Sequence, residues 1–359
     1  LSYGGDPSTV WITWITFDDT YASVVEYGTK DLERNATGDT SLFIDGGSKK
    51  SKRYVHRVRL TELEPGTTYV YHVGSEYGWS PIFRFTALQE RPEGGYIYAV
   101  YGDLGNVNAR SLGKIQQQAQ RGDLAYNLDT RIRIFKLKFQ DDGQFGDQFG
   151  RQIEPVAAYV PYMTVVGNHE EAYNFSHFVN RYTMPNSDHN LFYSFDLGAA
   201  HFIAFSTEFY YFTNYGWQQL AKQWEWLNND LKLRFIFLSF IYSLYCQVAN
   251  QNRDKRPWII TMGHRPMYCS DFDEDDCTKY ESRIRAGLPE THAYALEKLF
   301  YSFGVDLEIW AHEHSYERMW PVYNRTVYNG TRSPYVDPPA PVHVVTGSAV
   351  RIKLDSTVR

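Results

Sequence analysis

Five side chains that can bind metal ions follow apolar, strand-like stretches in this sequence of 359 residues. They are Asp103, Asn168, His264, His312 and His314. In α/β sheets, ligands bind beyond the carboxyl ends of the strands. Each residue alone has a bland explanation, such as a helix cap or a hydrogen-bonded core position. Five of them at strand ends favour one shared metal site.

The residue types suggest two metal ions of different hardness. A carboxylate and a phenolate suit a hard trivalent ion, whereas imidazoles and an amide oxygen suit a divalent one. The stretch 122–126, Gly-Asp-Leu-Ala-Tyr, adds the carboxylate of Asp123 and the phenol of Tyr126. A carboxylate between two ions can hold them about 3.5–4 Å apart, the spacing that activates water and clamps a phosphoryl group. We therefore expect a dinuclear centre bridged by Asp123.

The elements that must position these residues read as an α/β layered domain over residues 91–359. Residues 96–101 form a continuous apolar run, which is typical of a buried strand. Further apolar runs predict strands at residues 162–166, 201–206, 258–262, 305–310 and 342–346. Helical spacing of apolar residues follows Ala109 and recurs at 217–231 and 294–303.

Residues 1–90 read differently, as an all-β domain. Short alternating runs are separated by turn signals, which favours a sandwich. The run 63–71, Leu-Glu-Pro-Gly-Thr-Thr-Tyr-Val-Tyr, resembles the fibronectin type III signature, with Tyr69 as a candidate tyrosine corner. The chain is therefore expected to be multidomain, with a fibronectin III-like β-sandwich before the α/β domain.

Composition narrows the classes of function. A net charge of -6 argues against a nucleic-acid partner. The longest apolar run, residues 235–246, is shorter than the roughly 20 residues that a membrane-spanning helix needs. Cys269 and Cys277 flank an acidic loop and could form a disulfide; the alternative is two free thiols. Glycosylation sequons occur at Asn35, Asn174, Asn324 and Asn329. The four sequons and the possible disulfide together favour a secreted protein.

The ordered series of motifs resembles the purple acid phosphatases, a family with a dinuclear iron–divalent-metal centre. The motifs are Gly-Asp-Leu-Gly at 102–105, Gly-Asp-Leu-Ala-Tyr at 122–126, Gly-Asn-His-Glu at 167–170, Gly-His at 263–264 and Ala-His-Glu-His at 311–314. The resemblance covers nearly the whole chain and includes the N-terminal domain of the larger, animal-type members. The five motifs in this order are specific for the family, whereas any one of them alone is not.

The resemblance implies a role for each motif residue. Fe(III) would be held by Asp103, Tyr126 and His314. A divalent ion (Fe, Zn or Mn) would be held by Asn168, His264 and His312, and Asp123 would bridge the two ions. His169 would face the substrate phosphate and protonate the leaving oxygen. The implied activity is acid phosphatase hydrolysis of small phosphate esters or phosphoproteins by a secreted or lysosomal enzyme.

The sequence departs from the family pattern before Asp123. An apolar strand should deliver this aspartate, but polar residues 116–121 run straight into Gly122. Either the helix is shortened and a poor strand forms, or Asp123 is misplaced. Runs 131–139 and 233–246 also look foreign, and we expect the C-terminus after residues 346–348 to be truncated. We hypothesise gene-prediction or splicing errors; finding both runs in the mature transcript would contradict this.

Three readings of function remain open at this point. The leading one is an acid phosphatase acting on phosphate monoesters. The second is a phosphodiesterase or nucleotide-type metallophosphoesterase. The third is a catalytically inactive binding module, which applies if the Asp123 segment is misplaced. Arg265 has two readings as well, a phosphate contact or a salt-bridge partner. Sequence alone does not choose a physiological substrate, a divalent ion or an oligomeric state.

Overall fold

The computed structural model describes residues 1–92, 95–105, 109–124, 126–129, 142–233, 253, 255–272, 274–330 and 332–347. Its first nine strands form two antiparallel sheets. They are β1 (Ser2–Tyr3), β2 (Val10–Thr16), β3 (Val24–Gly28), β4 (Arg34–Thr37), β5 (Asp39–Ile44), β6 (Lys52–Leu60), β7 (Thr68–Ser75), β8 (Gly78–Trp79) and β9 (Phe83–Thr86). The strand order is β1-β2-β6-β5 in one sheet and β4-β3-β7-β8 in the other, with β9 paired to β7.

The alternating pattern of β7 produces the core of this β-sandwich. Tyr69, Tyr71 and Val73 are buried on one face and pack with residues of the facing sheet such as Val58. The Tyr69 hydroxyl accepts a hydrogen bond from the backbone N–H of Glu64 at 3.0 Å. This contact confirms the predicted tyrosine corner.

The second domain contains a parallel three-stranded sheet and a mixed six-stranded sheet. The first consists of β10 (Tyr98–Tyr101), β11 (Tyr126–Asp129) and β12 (Tyr162–Thr164). The second has the order β13-β14-β15-β16-β20-β17. Its strands are β13 (Tyr193–Leu197), β14 (Ala200–Ala204), β15 (Trp258–Met262), β16 (Leu307–Trp310), β17 (Tyr316–Arg318) and β20 (Val342–Thr346); β18 (Val322–Tyr323) and β19 (Thr326–Val327) form a separate hairpin.

Helices pack around these sheets and complete the α/β layers. They are α1 (Leu112–Arg121), α2 (Gln144–Ala157), α3 (Ala172–Arg181), α4 (Gln218–Leu233), α5 (Arg283–Ala286) and α6 (Leu296–Ser302). Strands β14, β15, β16 and β20 are mutually parallel, so their carboxyl ends share one edge. The backbone N–H of Gly102, after β10, donates to the carbonyl of Thr346 at 2.7 Å. The two sheets therefore meet at their carboxyl ends.

The predicted elements of this domain are present, with one exception that affects the site. Strands at 258–262 and 342–346 match in full, and the others are shorter than expected. No strand forms between α1 and Asp123 in the described residues; α1 runs to Arg121, and Gly122 ends it in the left-handed conformation. The strand beside β10 is instead β11, which starts after Asp123. Residues 131–139 and 234–246 lie outside the described residues.

Candidate metal centre

Three donor atoms from three strand ends converge on one point. Asn168 opens a short turn after β12, His264 follows β15, and His312 follows β16. The Asn168 Oδ1 atom lies 3.1 Å from His264 Nε2. The same His264 atom lies 3.0 Å from Nδ1 of His312. Because the strands run parallel, their ends bring together residues that are 144 positions apart in sequence (312 − 168).

The spacing of these three atoms, called the three-atom cradle below, suits a divalent metal ion. Nitrogen and oxygen ligands lie about 2.0–2.2 Å from such an ion, which places neighbouring ligand atoms about 3.0–3.4 Å apart. The two measured separations, 3.1 Å and 3.0 Å, fall at the short end of this range. An amide oxygen and two imidazole nitrogens are also the donor types that a divalent transition metal accepts. The residues therefore fit the ion.

Asp103 and His314 lie beside the cradle and provide a second pair of donors. The Asp103 Oδ1 atom is 3.6 Å from Nε2 of His314. The other oxygen of Asp103 accepts a hydrogen bond from the backbone N–H of His312 at 2.9 Å, so this carboxylate is fixed to the loop that carries both histidines. Asp103 is fully buried. A buried carboxylate oxygen and an imidazole nitrogen are both donor types that metal ions accept.

Unusual backbone geometry accompanies these residues. Asp103 and His312 both have positive φ, 60° and 68° respectively. Such conformations are uncommon outside glycine and concentrate at functional sites. Gly347 allows the close approach, because a Cβ atom there would lie 2.7 Å from Asp103 Oδ2. The loops are therefore shaped around the carboxylate.

His169 lies next to Asn168 in the same turn and is half-buried. The turn is fixed by the Glu170 carboxylate, which accepts a hydrogen bond from the Gly167 N–H at 2.8 Å. Glu170 is itself buried. His169 therefore lies on a rigid segment, directly after the cradle residue Asn168.

Asp123 and Tyr126 are not brought to this end of the sheet. Asp123 is exposed at the end of α1, where its backbone N–H donates to the carbonyl of Gln118. It lines a cavity of about 740 Å³ that it shares with Arg84 of the sandwich. The backbone of Tyr126 pairs with Tyr98 at the amino end of β11. A four-residue strand covers about 13 Å. Asp123 precedes the amino end of β11 whereas Asp103 follows the carboxyl end of the parallel strand β10, so the two residues lie at opposite ends of the sheet.

Asp123 therefore lies away from the cradle in this structure, for a physical reason, and its bridging role stays a prediction. The polar residues before Asp123 continue helix α1 instead of forming a buried strand. The next segment able to pair, 126–129, then takes the place between β10 and β12. Of the two alternatives that the sequence offered, the strand before Asp123 does not form in the described residues.

Arg265 contacts protein groups on several sides. Its Nε atom lies 3.1 Å from the fully buried carboxylate of Glu208. Its guanidinium stacks 4.1 Å from the ring centre of Tyr211 and approaches His312 Nε2 at 3.2 Å. These contacts match the salt-bridge reading of Arg265 rather than the phosphate reading.

Two acidic residues of the site were missed in the sequence, although each had a signal. Glu208 follows the strand predicted at 201–206, so the rule of strand ends applies to it. Asp275 lies in the acidic loop between Cys269 and Cys277. The structure joins these cysteines in a disulfide and places Asp275 Oδ2 at 2.5 Å from Nε2 of His312.

Burial and hydrogen bonding shift the pKa of both His312 and Asp275. Burial lowers the pKa of His312, although the hydrogen bond with Asp275 opposes this effect. The hydrogen bond from His312 holds the pKa of Asp275 well below its usual range. A neutral imidazole is the form that ligates metal. The Asp275 carboxylate contacts Nε2 of His312, whereas Nδ1 is the nitrogen that faces the cradle.

The four sequon asparagines all lie on the surface. Asn35 is on β4, Asn174 on α3, and Asn324 and Asn329 flank β19. Exposure is a requirement for attachment of a glycan. Among the described helices, none is long and apolar enough to cross a membrane.

Comparison with known protein families matches both halves of the chain. Residues 1–87 match the model of the purple acid phosphatase N-terminal domain. Residues 100–316 match the calcineurin-like phosphoesterase model.

Similar proteins cover most of the chain. Acid phosphatase type 7 of Mus musculus is 48% identical, with 97% of this chain and 76% of the relative aligned. The Danio rerio protein of the same name is also 48% identical, over 97% of this chain and 77% of its own length. The phosphoenolpyruvate phosphatase of Allium cepa is 29% identical, over 95% of this chain and 67% of its own.

A solved structure shows the same fold. The purple acid phosphatase PPD1 from yellow lupin seeds superposes with a TM-score of 0.70 at 20% identity. The superposition covers 99% of this chain and 66% of the lupin chain.

Proposed function

Because the chain belongs to the purple acid phosphatases, within the calcineurin-like phosphoesterases, we propose that it hydrolyses phosphate monoesters at the strand-end metal centre. The single observation that carries this proposal is the three-atom cradle of Asn168, His264 and His312. Relatives named acid phosphatases that share 48% of the sequence support the same activity.

The family uses a dinuclear centre, and we infer that two positions exist in this chain. The cradle would hold the divalent ion (Fe, Zn or Mn), and Asp103 with His314 would contribute to the Fe(III) position. The buried carboxylate of Asp103 supports a harder ion there. We leave Asp123 and Tyr126 out of this proposed set, since the Tyr126 backbone pairs at the amino end of β11 and Asp123 lies at the end of α1.

The chain's own residues would perform the remaining chemistry. Bound metal ions supply Lewis-acid activation of water and of the phosphoryl oxygen. The cradle and Asp103 orient the reacting groups at the sheet edge. His169, on the rigid turn beside Asn168, would donate a proton to the leaving oxygen, releasing an alcohol and inorganic phosphate. His169 is only half-buried, which leaves it accessible to substrate.

We propose small phosphate esters or phosphoproteins as substrates and a secreted or lysosomal location. The disulfide between Cys269 and Cys277 supports an oxidising compartment. The exposed asparagines of the four sequons support glycosylation in the secretory pathway.

A second candidate function is favoured by the position of Asp123. If the centre requires a bridging carboxylate from that segment, the chain would be a metal-binding module without hydrolytic activity. A third outcome is a preference for phosphate diesters or nucleotides over monoesters.

Hydrolysis of an aryl phosphate monoester and the matching diester, measured from about pH 4 to 8, separates these candidates. We expect the monoester to be hydrolysed faster, with an acidic optimum, and the activity to disappear on chelation and return with added metal. Faster diester cleavage would favour the phosphodiesterase. A folded, metal-loaded protein that cleaves neither ester would identify the inactive module and overturn the proposal.

A further inference from the structure

The acidic loop between Cys269 and Cys277 reaches the metal centre through one residue. The Asp275 Oδ2 atom lies 2.5 Å from Nε2 of His312. The other nitrogen of that ring, Nδ1, faces His264 in the cradle at 3.0 Å. One imidazole therefore stands between a carboxylate on one side and the cradle on the other.

This arrangement decides which nitrogen carries the proton. If Nδ1 is to bind a metal ion, its lone pair must be free and the proton must sit on Nε2. An Nε2–H group then donates to Asp275. The guanidinium of Arg265, 3.2 Å from the same nitrogen, cannot donate to a protonated Nε2, so it acts on the carboxylate, 3.6 Å from Asp275 Oδ1.

The loop holds Asp275 in place by independent contacts. Its Oδ1 atom accepts a hydrogen bond from the backbone N–H of Asp276 at 2.6 Å, and its carbonyl accepts one from the Thr278 hydroxyl at 2.7 Å. The Asp276 side chain accepts hydrogen bonds from the Tyr211 hydroxyl and the Arg283 N–H. The Cys269–Cys277 disulfide closes the loop two residues beyond Asp275.

We propose that Asp275 is a positioning residue that orients His312 and fixes its metal-binding tautomer, and that the disulfide-closed loop exists to hold it there. This inference rests on the proposed metal centre. A carboxylate that accepts the second N–H of a ligating histidine raises the basicity of the ligand, and its loss typically weakens metal affinity about 10–100-fold.

The test is the affinity of the metal-free protein for Zn²⁺, measured by competition with a chromophoric chelator. Asp275→Asn removes the charge and keeps the size, and Asp275→Ala removes the group. We expect both to raise the dissociation constant about 10–100-fold. The matched control is Asp271→Asn, which removes the same charge from an exposed position in the same loop and should change it by less than about twofold.

A coupling measurement separates positioning from a merely structural role. If Asp275 acts through His312, then Asp275→Asn adds nothing to the affinity loss of His312→Ala. The loop is tested by Cys269→Ser with Cys277→Ser, which should weaken Zn²⁺ binding in the same direction, with little further loss when Asp275→Asn is added.

Two results would overturn the inference. One is an unchanged Zn²⁺ dissociation constant in folded Asp275→Asn and Asp275→Ala proteins. If these variants do not fold, an unchanged Zn²⁺ dissociation constant in the Cys269→Ser, Cys277→Ser protein would also overturn the inference. The other is a full additional loss in the His312→Ala background. A wild-type protein that binds Zn²⁺ in this Asp275-dependent way but hydrolyses no ester overturns the proposed function alone. A wild-type protein that binds none of Zn²⁺, Mn²⁺ and Fe²⁺ overturns both.

Discussion

His264 is the residue on which the cradle depends, because its Nε2 atom is the one shared by both short contacts. It lies 3.1 Å from Asn168 Oδ1 and 3.0 Å from His312 Nδ1, and the residue is fully buried. A buried imidazole with an amide oxygen and a second imidazole at its tip supplies the donor types that we propose for the divalent ion.

His264→Ala should remove the divalent ion and lower kcat for an aryl phosphate by at least about 10²-fold, because the cradle loses its central donor. Metal content and initial rates measure the effect. His189→Ala is the matched control, since His189 is an exposed histidine of the same domain. A variant that keeps both its divalent ion and its rate would show that the cradle is not a metal site.

Arg265 illustrates how a charged residue beside the site can serve stability rather than substrate. Its partner Glu208 is fully buried. Breaking a buried ion pair leaves one charge uncompensated and costs about 3–5 kcal/mol.

Arg265→Met should therefore lower the free energy of unfolding by about 3 kcal/mol in urea titrations. Adding Glu208→Gln should recover a large part of this loss, because the buried charge is removed as well. A loss below about 1 kcal/mol for the single variant would return Arg265 to the phosphate-binding reading.

At the scale of elements, the strand ends of the α/β domain could be predicted from the sequence, but the position of β11 after Asp123 could not. Apolar runs ending in Asp103, Asn168, His264 and His312 identified the sheet edge because parallel strands are apolar throughout. The polar segment before Asp123 indicated that the expected strand is missing, but it did not indicate which segment would replace that strand. The polar residues 116–121 could have formed a strand or continued the helix. In the structure, residues 126–129 occupy the position between β10 and β12, and such strand pairing depends on tertiary packing rather than on local sequence.

The position of Asp123 leads to a direct prediction. Asp123→Asn should change metal content and hydrolysis by less than about twofold, because an exposed carboxylate at the end of α1 does not face the cradle. Metal analysis and initial rates check this. Loss of metal or of most activity would mean that the segment reaches the site, as the family resemblance implied.

Contacts made by loops were the part of the site that the sequence patterns predicted least well. The acidic stretch between the two cysteines suggested a closed loop, but its contact with His312 depends on the fold of the whole domain. The fibronectin-like turn at residues 63–71 was easier to predict, since the Tyr69 corner is a local interaction.

At the scale of the whole molecule, an ion-pair network joins the sandwich to the α/β domain. Asp147 on α2 accepts hydrogen bonds from Arg53 of β6 and from Arg181 of α3. All three side chains are at most 10% exposed. Nearby, His177 and Asp45 make a second contact between the domains, at 2.5 Å. These contacts fix the sandwich against the domain that carries the proposed metal centre.

The network should give the protein a specific pH dependence. Burial alone would raise the pKa of Asp147, but the hydrogen bonds and charges of Arg53 and Arg181 outweigh it, and the net pKa is lowered from 3.8. A carboxyl with a lowered folded pKa contributes stability that is present above the unfolded pKa and lost as the pH falls through the folded one. The window therefore lies below pH 3.8.

Asp147→Asn should lower the free energy of unfolding by about 3 kcal/mol at neutral pH, because two buried arginines lose their partner. The difference from wild type should shrink as the pH drops below 3.8. Urea unfolding across this pH series is the measurement, and Asp188→Asn, an exposed change of the same charge, is the control. A difference that stays constant with pH would contradict the assignment.

The most direct test of the metal centre is the metal content of the purified wild-type protein, measured by mass spectrometry after dialysis against metal-free buffer. If the residues at four strand ends hold the proposed dinuclear centre, the protein should contain about two metal ions per chain, iron and a divalent ion. A folded protein that retains less than about a tenth of one equivalent, even after incubation with both metals, would contradict the central claim.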